Sequence, residues 1–420
     1  MPPKKTLSTF ICLLGASFYL YEFVLQVSPN AIATELMRDL QLEATGLGFL
    51  SASYFYAYML MQFPAGLLYD RYGPRWLLTI MTAICALGAL LFSCSNQLFI
   101  IAIGRGLMGF GSAFAFIGAL VLVSRWFPAA YFPTITGIVQ AMSSVGAIIG
   151  TMPLAAAIAS FGWRPSIMGL AVIGFALALL IWSIVRDNPT DSRSSKPPSY
   201  YQEWHRLLTV CKNPQTWMVG IYAFAMWAPI IVFAELWGSI YLQKALNLNP
   251  VIASSYITLI WVGIAVGSPT LGIFSQSIKQ RRLPLLWMAT LGLITSILLI
   301  SCPEYLSSLG LYTVMFCLGF SASGCILTFS VVKENNHSDT LGSAVGFNNM
   351  MVVAGGALLQ PLAGIILQLF WDGKIIHSIP VYSVQAFQLS LVTIPLCYMI
   401  AIGLVLFGIH ESHRTIKVTP

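Results

Sequence analysis

The sequence predicts an all-α membrane protein of twelve transmembrane helices in two pseudo-symmetric six-helix bundles. Three observations predict it. Of the 420 residues, 57% are hydrophobic and only 8% are charged, whereas a soluble domain carries about 25% charged residues. So few charges cannot cover a soluble fold, and most of the surface must face lipid. The apolar residues fall in continuous runs of about 20 or more, enough for a helix to cross the hydrocarbon, without the alternation of a membrane barrel. Finally, one long polar stretch, 187–213, divides these runs into six and six.

Taken in order, the apolar runs predict helices at 7–34, 45–69, 76–94, 98–124, 133–159 and 164–185, then at 214–241, 251–277, 284–303, 307–332, 341–370 and 384–409. Lys4 and Lys5 precede the first run, and Ala31-Ile32-Ala33 resembles a cleavage site. The run is too long for the apolar core of a signal peptide, so it reads as a retained helix 1. The stretch 187–213 holds Pro189, Ser194, Ser195, Pro197 and Pro198, the composition of a flexible linker. The expected units are a bundle over 1–186, a cytoplasmic linker over 187–213, a bundle over 214–409 and a cytoplasmic tail over 410–420.

Topology follows from Lys and Arg. With the amino terminus inside, sixteen of the 21 basic residues fall in inner segments, four (Arg38, Arg164, Lys244 and Lys374) in outer ones, and Arg105 within a span. Basic loops stay cytoplasmic, so both termini are expected there, in the inner (plasma) membrane. Trp76, Trp126, Trp163, Trp217, Trp287 and Trp371 lie near helix ends, as an interfacial belt requires.

Composition also excludes function classes. The net charge of +7 is dispersed over short loops, so no nucleic-acid partner is expected. The eight cysteines form no C-x-x-C pair and mostly sit in apolar runs, where they act as small hydrophobes. The five histidines fall in loops or tail without zinc spacing. No G-x-x-x-x-G-K-[ST] loop is present, and no helix carries a nucleophile–His or metal-ligand cluster. The expected protein is therefore not an enzyme and holds no cofactor or metal. Its expected partners are a small-molecule substrate, a proton and the lipid bilayer, with the chain a monomer.

The halves are weakly related. Leu40-Gln41-Leu42 matches Leu246-Asn247-Leu248, Gly66 matches Gly272, and Arg75 matches Arg281, all at an offset of 206. A repeat at constant spacing marks duplicated transporter halves.

Four local patterns carry chemistry. The first is Gly66-Leu67-Leu68-Tyr69-Asp70-Arg71-Tyr72-Gly73-Pro74-Arg75-Trp76, between helices 2 and 3. Glycines permit a sharp turn, and Asp70 can cap a helix or pair with Arg. The second-half counterpart, Gly272 to Arg282, has Gln276 where Asp70 would fall. The second pattern is Arg105-Gly106-Leu107-Met108-Gly109-Phe110-Gly111 in helix 4, and the third is Gly137, Gly146 and Gly150 in helix 5. The fourth comprises Gly162-Trp163-Arg164, Gly346-Phe347-Asn348-Asn349 and Gln360-Pro361. Together these resemble the major facilitator superfamily along essentially the whole chain. The first resembles its G-x-x-x-D-R-x-G-R-R loop, with Pro74 replacing one Arg, and the second its R-x-x-x-G-x-G pattern. The resemblance implies a conformational latch at Gly66, Asp70, Arg71, Gly73 and Arg75; the plainer reading is a basic loop that sets topology. Gly137, Gly146 and Gly150 resemble the start of the antiporter motif, although Thr151 and Met152 precede Pro153. Small residues at this spacing also simply allow close helix packing.

Three charges fall well inside spans: Glu22, Arg105 and Glu235. A charge there costs at least about 2.5 kcal/mol, so each needs a partner or a task. Glu22 lies about 18 Å below the outer end of helix 1, with Arg105 about 8 Å higher on helix 4. A Glu22–Arg105 relation is therefore expected, either functional or a static pair. By the offset of 206, Glu22 corresponds to Ala228 and Tyr21 to Trp227, a candidate cavity aromatic. Glu235 then falls about 10 Å further out, near the outer mouth. Tyr21, Trp227, Asn348 and Gln360 complete the candidate substrate and proton site. Neither helix 1 nor helix 7 carries the Arg with which the superfamily's organophosphate antiporters clamp phosphate. Helices 1 and 11 resemble the anion/cation symporter and lysosomal dipeptide carrier branches. The expected function is alternating-access transport, coupled to protons through Glu22, of a zwitterion such as an amino acid or short peptide. The alternatives are a drug or siderophore exporter and a carrier-derived membrane sensor.

Overall fold

A computed structural model describes residues 5–128, 131–187, 200–278, 280–337, 340–376 and 379–410. Its spans are α1 (Lys5–Asp39), α2 (Ala44–Tyr72), α3 (Pro74–Cys94), α4 (Leu98–Ser112, resumed at Ala115–Trp126), α5 (Phe132–Ile149, resumed at Met152–Phe161) and α6 (Trp163–Ile184). Then follow α7 (Pro214–Val232, a π-turn over Phe233–Trp237, then Gly238–Leu246), α8 (Pro250–Ser277), α9 (Arg282–Ser301), α10 (Ser308–Ala322, resumed at Gly324–Asn335), α11 (Leu341–Leu369) and α12 (Val384–Leu391, resumed at Thr393–Phe407). Among the described residues eleven of the twelve are long and apolar enough to cross a membrane, and α2 is a continuous helix of 29 residues. Helices 1 and 7 outrun their predicted ends, at 34 and 241, because the helical backbone continues through polar residues beyond the apolar core.

Two local features depart from expectation. The stretch predicted as a flexible linker contains a helix, Tyr200–Cys211. It packs against α11 and buries Val210; residues 188–199 lie outside the described set, as does the tail 411–420. Between α11 and α12, β1 (Ile375–Ile376) pairs antiparallel with β2 (Ile379–Pro380), a two-residue ladder in a fold predicted all-α.

The packing repeats six helices apart. Helix α3 lies on α4 and α6, and α2 lies on α4; in the same way α9 lies on α10 and α12, and α8 on α10. A Cβ at Gly109 would meet the Tyr54 carbonyl, and one at Gly319 would meet that of Ile260, so glycine is what lets α4 press on α2 and α10 on α8. Tyr54 and Ile260 differ by the offset of 206. The two sets of six meet where α2 lies along α11, α5 against α8 and α1 against α7. Helices α1 and α7 are the most enclosed spans, and their shared surface holds the buried charges.

Candidate functional site

Helix α1 carries a polar stripe. Glu22, Gln26 and Asn30 recur every four residues, so they share one face, and all three are buried. Gln26 Nε2 donates to both carboxylate oxygens of Glu235, at 3.0 and 3.2 Å. Asn30 Oδ1 accepts from the Ser239 amide at 3.1 Å. Glu22 Oε2 accepts from the Tyr54 hydroxyl at 2.8 Å, while Glu22 Oε1 has no partner. Glu235, expected near the outer mouth, is instead fully enclosed and bound to the residue one turn from Glu22. Equivalence by repeat predicts homologous positions, whereas contact is set by how α1 and α7 face each other.

Arg105 does not pair with Glu22. Its terminal nitrogens donate to the carbonyls of Leu25, at 2.6 Å, and Gln26, at 2.7 Å. Pro29 lacks the amide that would reach Leu25 O four residues earlier, and the Ser28 hydroxyl, at 2.8 Å, and Arg105 together take its place. The guanidinium also lies 4.6 Å above the Tyr54 ring, in cation–π geometry. Tyr54 thus stands between the two charges, its ring beneath Arg105 and its hydroxyl on Glu22.

The π-turn that carries Glu235 breaks the α-helical ladder of α7, as such turns do. Gly238 N donates to Phe233 O, five residues back, and Ser239 N turns outward to Asn30. Gln360 Nε2 donates to Ile231 O at 3.0 Å, and Trp237 Nε1 donates to Gln360 O at 3.3 Å. Gln360 therefore braces the π-turn. Asn348 ties α11 to α10 through Thr328 at 2.9 Å. Tyr21, a cavity candidate, faces elsewhere: its hydroxyl donates to Leu170 O at 2.9 Å and its ring packs on Gly174 of α6. One residue along a helix is about 100° of rotation, which separates it from Glu22. Trp227 does reach the centre. It stands edge-on to Trp261 at 6.5 Å, which meets Phe23 at 6.2 Å, and Phe23 meets Tyr19 at 5.2 Å.

Sequence reasoning missed Gln26, Tyr54 and Trp261. Gln26 was signalled by its four-residue spacing from Glu22; Tyr54 and Trp261 become visible only through packing.

The glycine and latch residues divide by location. Gly146 packs on the Leu20 carbonyl, and Gly150 on Val24 and Val27, closing α5 on α1; Gly137 and Gly66 face open space. The α2–α3 turn uses Gly73, at φ +78°. Among the described residues, the bonds of Arg75 stay within the first set of helices. Its amide donates to Asp187 Oδ1 at 2.9 Å, its Nε donates to Trp182 O at 3.1 Å, and its guanidinium stacks on the Trp182 ring at 4.2 Å. The short turn leaves it beside the end of α6. Arg71 lies 5.5 Å from the Tyr72 ring, and the Asp70 side chain is outside the described set. In the second half Arg282, not Arg281, holds the carbonyls of Val405 and Leu406 at the end of α12, while Arg281 pairs with Glu334 at 2.9 Å.

Comparison with known proteins agrees with this architecture. A model of the Major Facilitator Superfamily matches residues 7–361. The chain is 21% identical to the membrane sensor protein UhpC of Escherichia coli (strain K12), over 82% of this chain and 83% of that one. It is 22% identical to the lysosomal dipeptide transporter MFSD1 of Homo sapiens, over 93% and 84%. A crystal structure of a bacterial homolog of the human lysosomal transporter Spinster, inward-facing and occupied, superposes with TM-score 0.80 at 14% identity, covering 96% of this chain and 97% of that one. With twelve helices packed as two repeating sets of six, and with this match, the chain belongs to the Major Facilitator Superfamily and is a multi-pass membrane protein of the alternating-access transport class.

Proposed function

We propose that the protein is a secondary carrier that couples proton movement to transport of a small solute through Glu22. The observation that carries this is the state of the Glu22 carboxyl: fully enclosed, one oxygen held by Tyr54, the other without a partner. A carboxyl so placed has room for one proton or one solute donor, and exchange between them is a coupling device. The zwitterion expectation needs a free acid and a free base. Both terminal nitrogens of Arg105 are committed to carbonyls and its Nε alone has no partner among the described residues, so the geometry supports the acid half best: a solute bearing an ammonium group, amino acids and short peptides among them. The dipeptide transport in the name of one relative favours the same class.

In this reading the units 1–186 and 214–409 rock against each other, and the basic bias of the loops puts both termini in the cytoplasm of a plasma-membrane monomer. The face bearing the α1–α2 loop is then external. Asp70 acts from the opposite face, and Asp70→Asn impairs transport without impairing insertion. The deciding experiment uses Glu22→Gln in proteoliposomes. Gln keeps size and hydrogen bonding but cannot titrate. Accumulation under an imposed pH gradient falls by about tenfold or more while solute exchange persists; unchanged accumulation removes Glu22 as the coupling group.

A further inference from the structure

The face bearing the α1–α2 loop is closed by several contacts between the two sets of helices. Outermost, the Tyr382 hydroxyl accepts from the Ala44 amide at 2.9 Å and donates to Gln368 Oε1 at 2.5 Å. Thr151 and Thr258 hydroxyls meet at 2.8 Å. Deeper lie Asn30–Ser239 and then Gln26–Glu235. Between these layers is a cavity of about 490 Å³ lined by Thr34 and Met37 of α1, Trp237 and Lys244 of α7, and Tyr382. Trp237 shares the π-turn with Glu235, so the cavity wall and the acid move as one piece of backbone.

We infer that Gln26 is the gate residue of this face: its amide holds Glu235 while the carrier is empty, and a solute N–H donor takes its place when the face opens. The inference rests on alternating access and not on which acid carries the proton. Several features single out Gln26. Among the described residues its bond is the one between the two sets that ends on a carboxyl group, and the one amide meets both carboxyl oxygens. Gln26 is 5% exposed and Glu235 fully enclosed, so water does not replace the amide while the face is shut. Parting α1 from α7 exchanges this amide donor for water, at the net cost of a buried hydrogen bond. A solute that brings its own donor removes that cost. Opening is then unfavourable when empty and favourable when loaded, and this difference is what prevents slippage in a coupled carrier. Arg105 makes Gln26 a positioned residue and not merely a nearby one, because the same guanidinium that donates to Leu25 O also grips the Gln26 carbonyl.

The test reads gate opening directly. Ser239→Cys, in a full-length chain with its native cysteines replaced, places a thiol at a site that is 1% exposed in the closed state. A membrane-impermeant maleimide is applied to proteoliposomes from each side separately, so that the gate and the topology assignment are judged independently. Gln26→Met keeps the side-chain length but cannot donate, and labelling in the absence of solute rises by about tenfold or more. Gln26→Glu places two acids together and also opens the face. Adding Glu235→Gln to it exchanges donor and acceptor, restores the bond and returns labelling to the parent rate. Unchanged labelling in Gln26→Met, or a swapped double variant as open as Gln26→Glu alone, overturns the inference. Should Gln26→Met fail to fold, the comparison of Gln26→Glu with the swapped variant decides alone. If the swap restores closure while pH-driven accumulation by the Glu22 parent is absent, the gate stands and the proton reading falls.

Discussion

At the scale of single residues, the buried arginine illustrates how a sequence can point to the right residue and the wrong partner. Arg105 stands out because a charge in hydrocarbon is costly, and an acid elsewhere in the membrane is the obvious mate. The groups that hold it are the carbonyls of Leu25 and Gln26, which no side-chain pattern displays. The sequence did contain the signal, in Pro29 four residues beyond Leu25. A charge-pairing role and a carbonyl-clamping role predict different mutants. Arg105→Lys keeps the charge but cannot bridge two carbonyls as a planar guanidinium does. We expect it to lose about 0.5–1.5 kcal/mol of stability, the net worth of a hydrogen bond, because the Ser28 hydroxyl still serves Leu25 O, and to transport poorly. Adding Pro29→Ala returns an amide to Leu25 O and recovers part of the thermal midpoint. Full stability of Arg105→Lys in detergent unfolding, or no recovery on adding Pro29→Ala, shows that the clamp is not the reason for the arginine.

At the scale of elements, the twelve spans were legible because apolar length is a property of the chain itself. Their interruptions were not. The π-turn of α7 depends on Gln360 and Asn30, which are distant in sequence. The linker helix needs α11 to bury Val210. The α2–α3 turn lies between these cases: its glycines and arginine were visible as a motif, but Asp187, which caps the start of α3 through the Arg75 amide, was not. Two glycines of this one motif should respond oppositely to alanine. Gly73 has φ +78° and its missing Cβ would strike the Asp187 carboxylate, so Gly73→Ala costs about 1–2 kcal/mol or more from backbone strain. Gly66 lies within α2 and faces open space, so Gly66→Ala gains about 0.5–1 kcal/mol of helix stability. Thermal unfolding of the two variants in the same detergent checks the pair, and equal effects would mean the turn geometry is wrong.

At the scale of the whole molecule, the duplication is clearest in what the side chains touch. Gly109 on Tyr54 and Gly319 on Ile260 repeat one close approach, whereas Arg75 finds its functional twin in Arg282, one residue off the offset that aligns α2 with α8. Neither offset foretells which residues touch, and that is why transfer between halves did not bring Glu235 to Gln26. The sets of helices it relates are joined on the α1–α2-loop face, and alternating access requires that face to part. Thr151 of α5 and Thr258 of α8 offer a direct test, because their hydroxyls are 2.8 Å apart across the junction. A disulfide needs its Cβ atoms about 3.5–4.5 Å apart, a spacing that two contacting threonine side chains can approach. In a chain whose eight free cysteines are replaced, Thr151→Cys with Thr258→Cys is expected to cross-link on mild oxidation and to stop solute exchange. Reductant restores exchange, and each single variant stays active under the same oxidant, which separates locking from damage. The cross-link is scored by mass spectrometry of the linked peptides, so failure to form it is not mistaken for free movement. A fully formed bond with undiminished exchange would show that α5 and α8 need not separate on this face, and the gate would then have to lie elsewhere along the path.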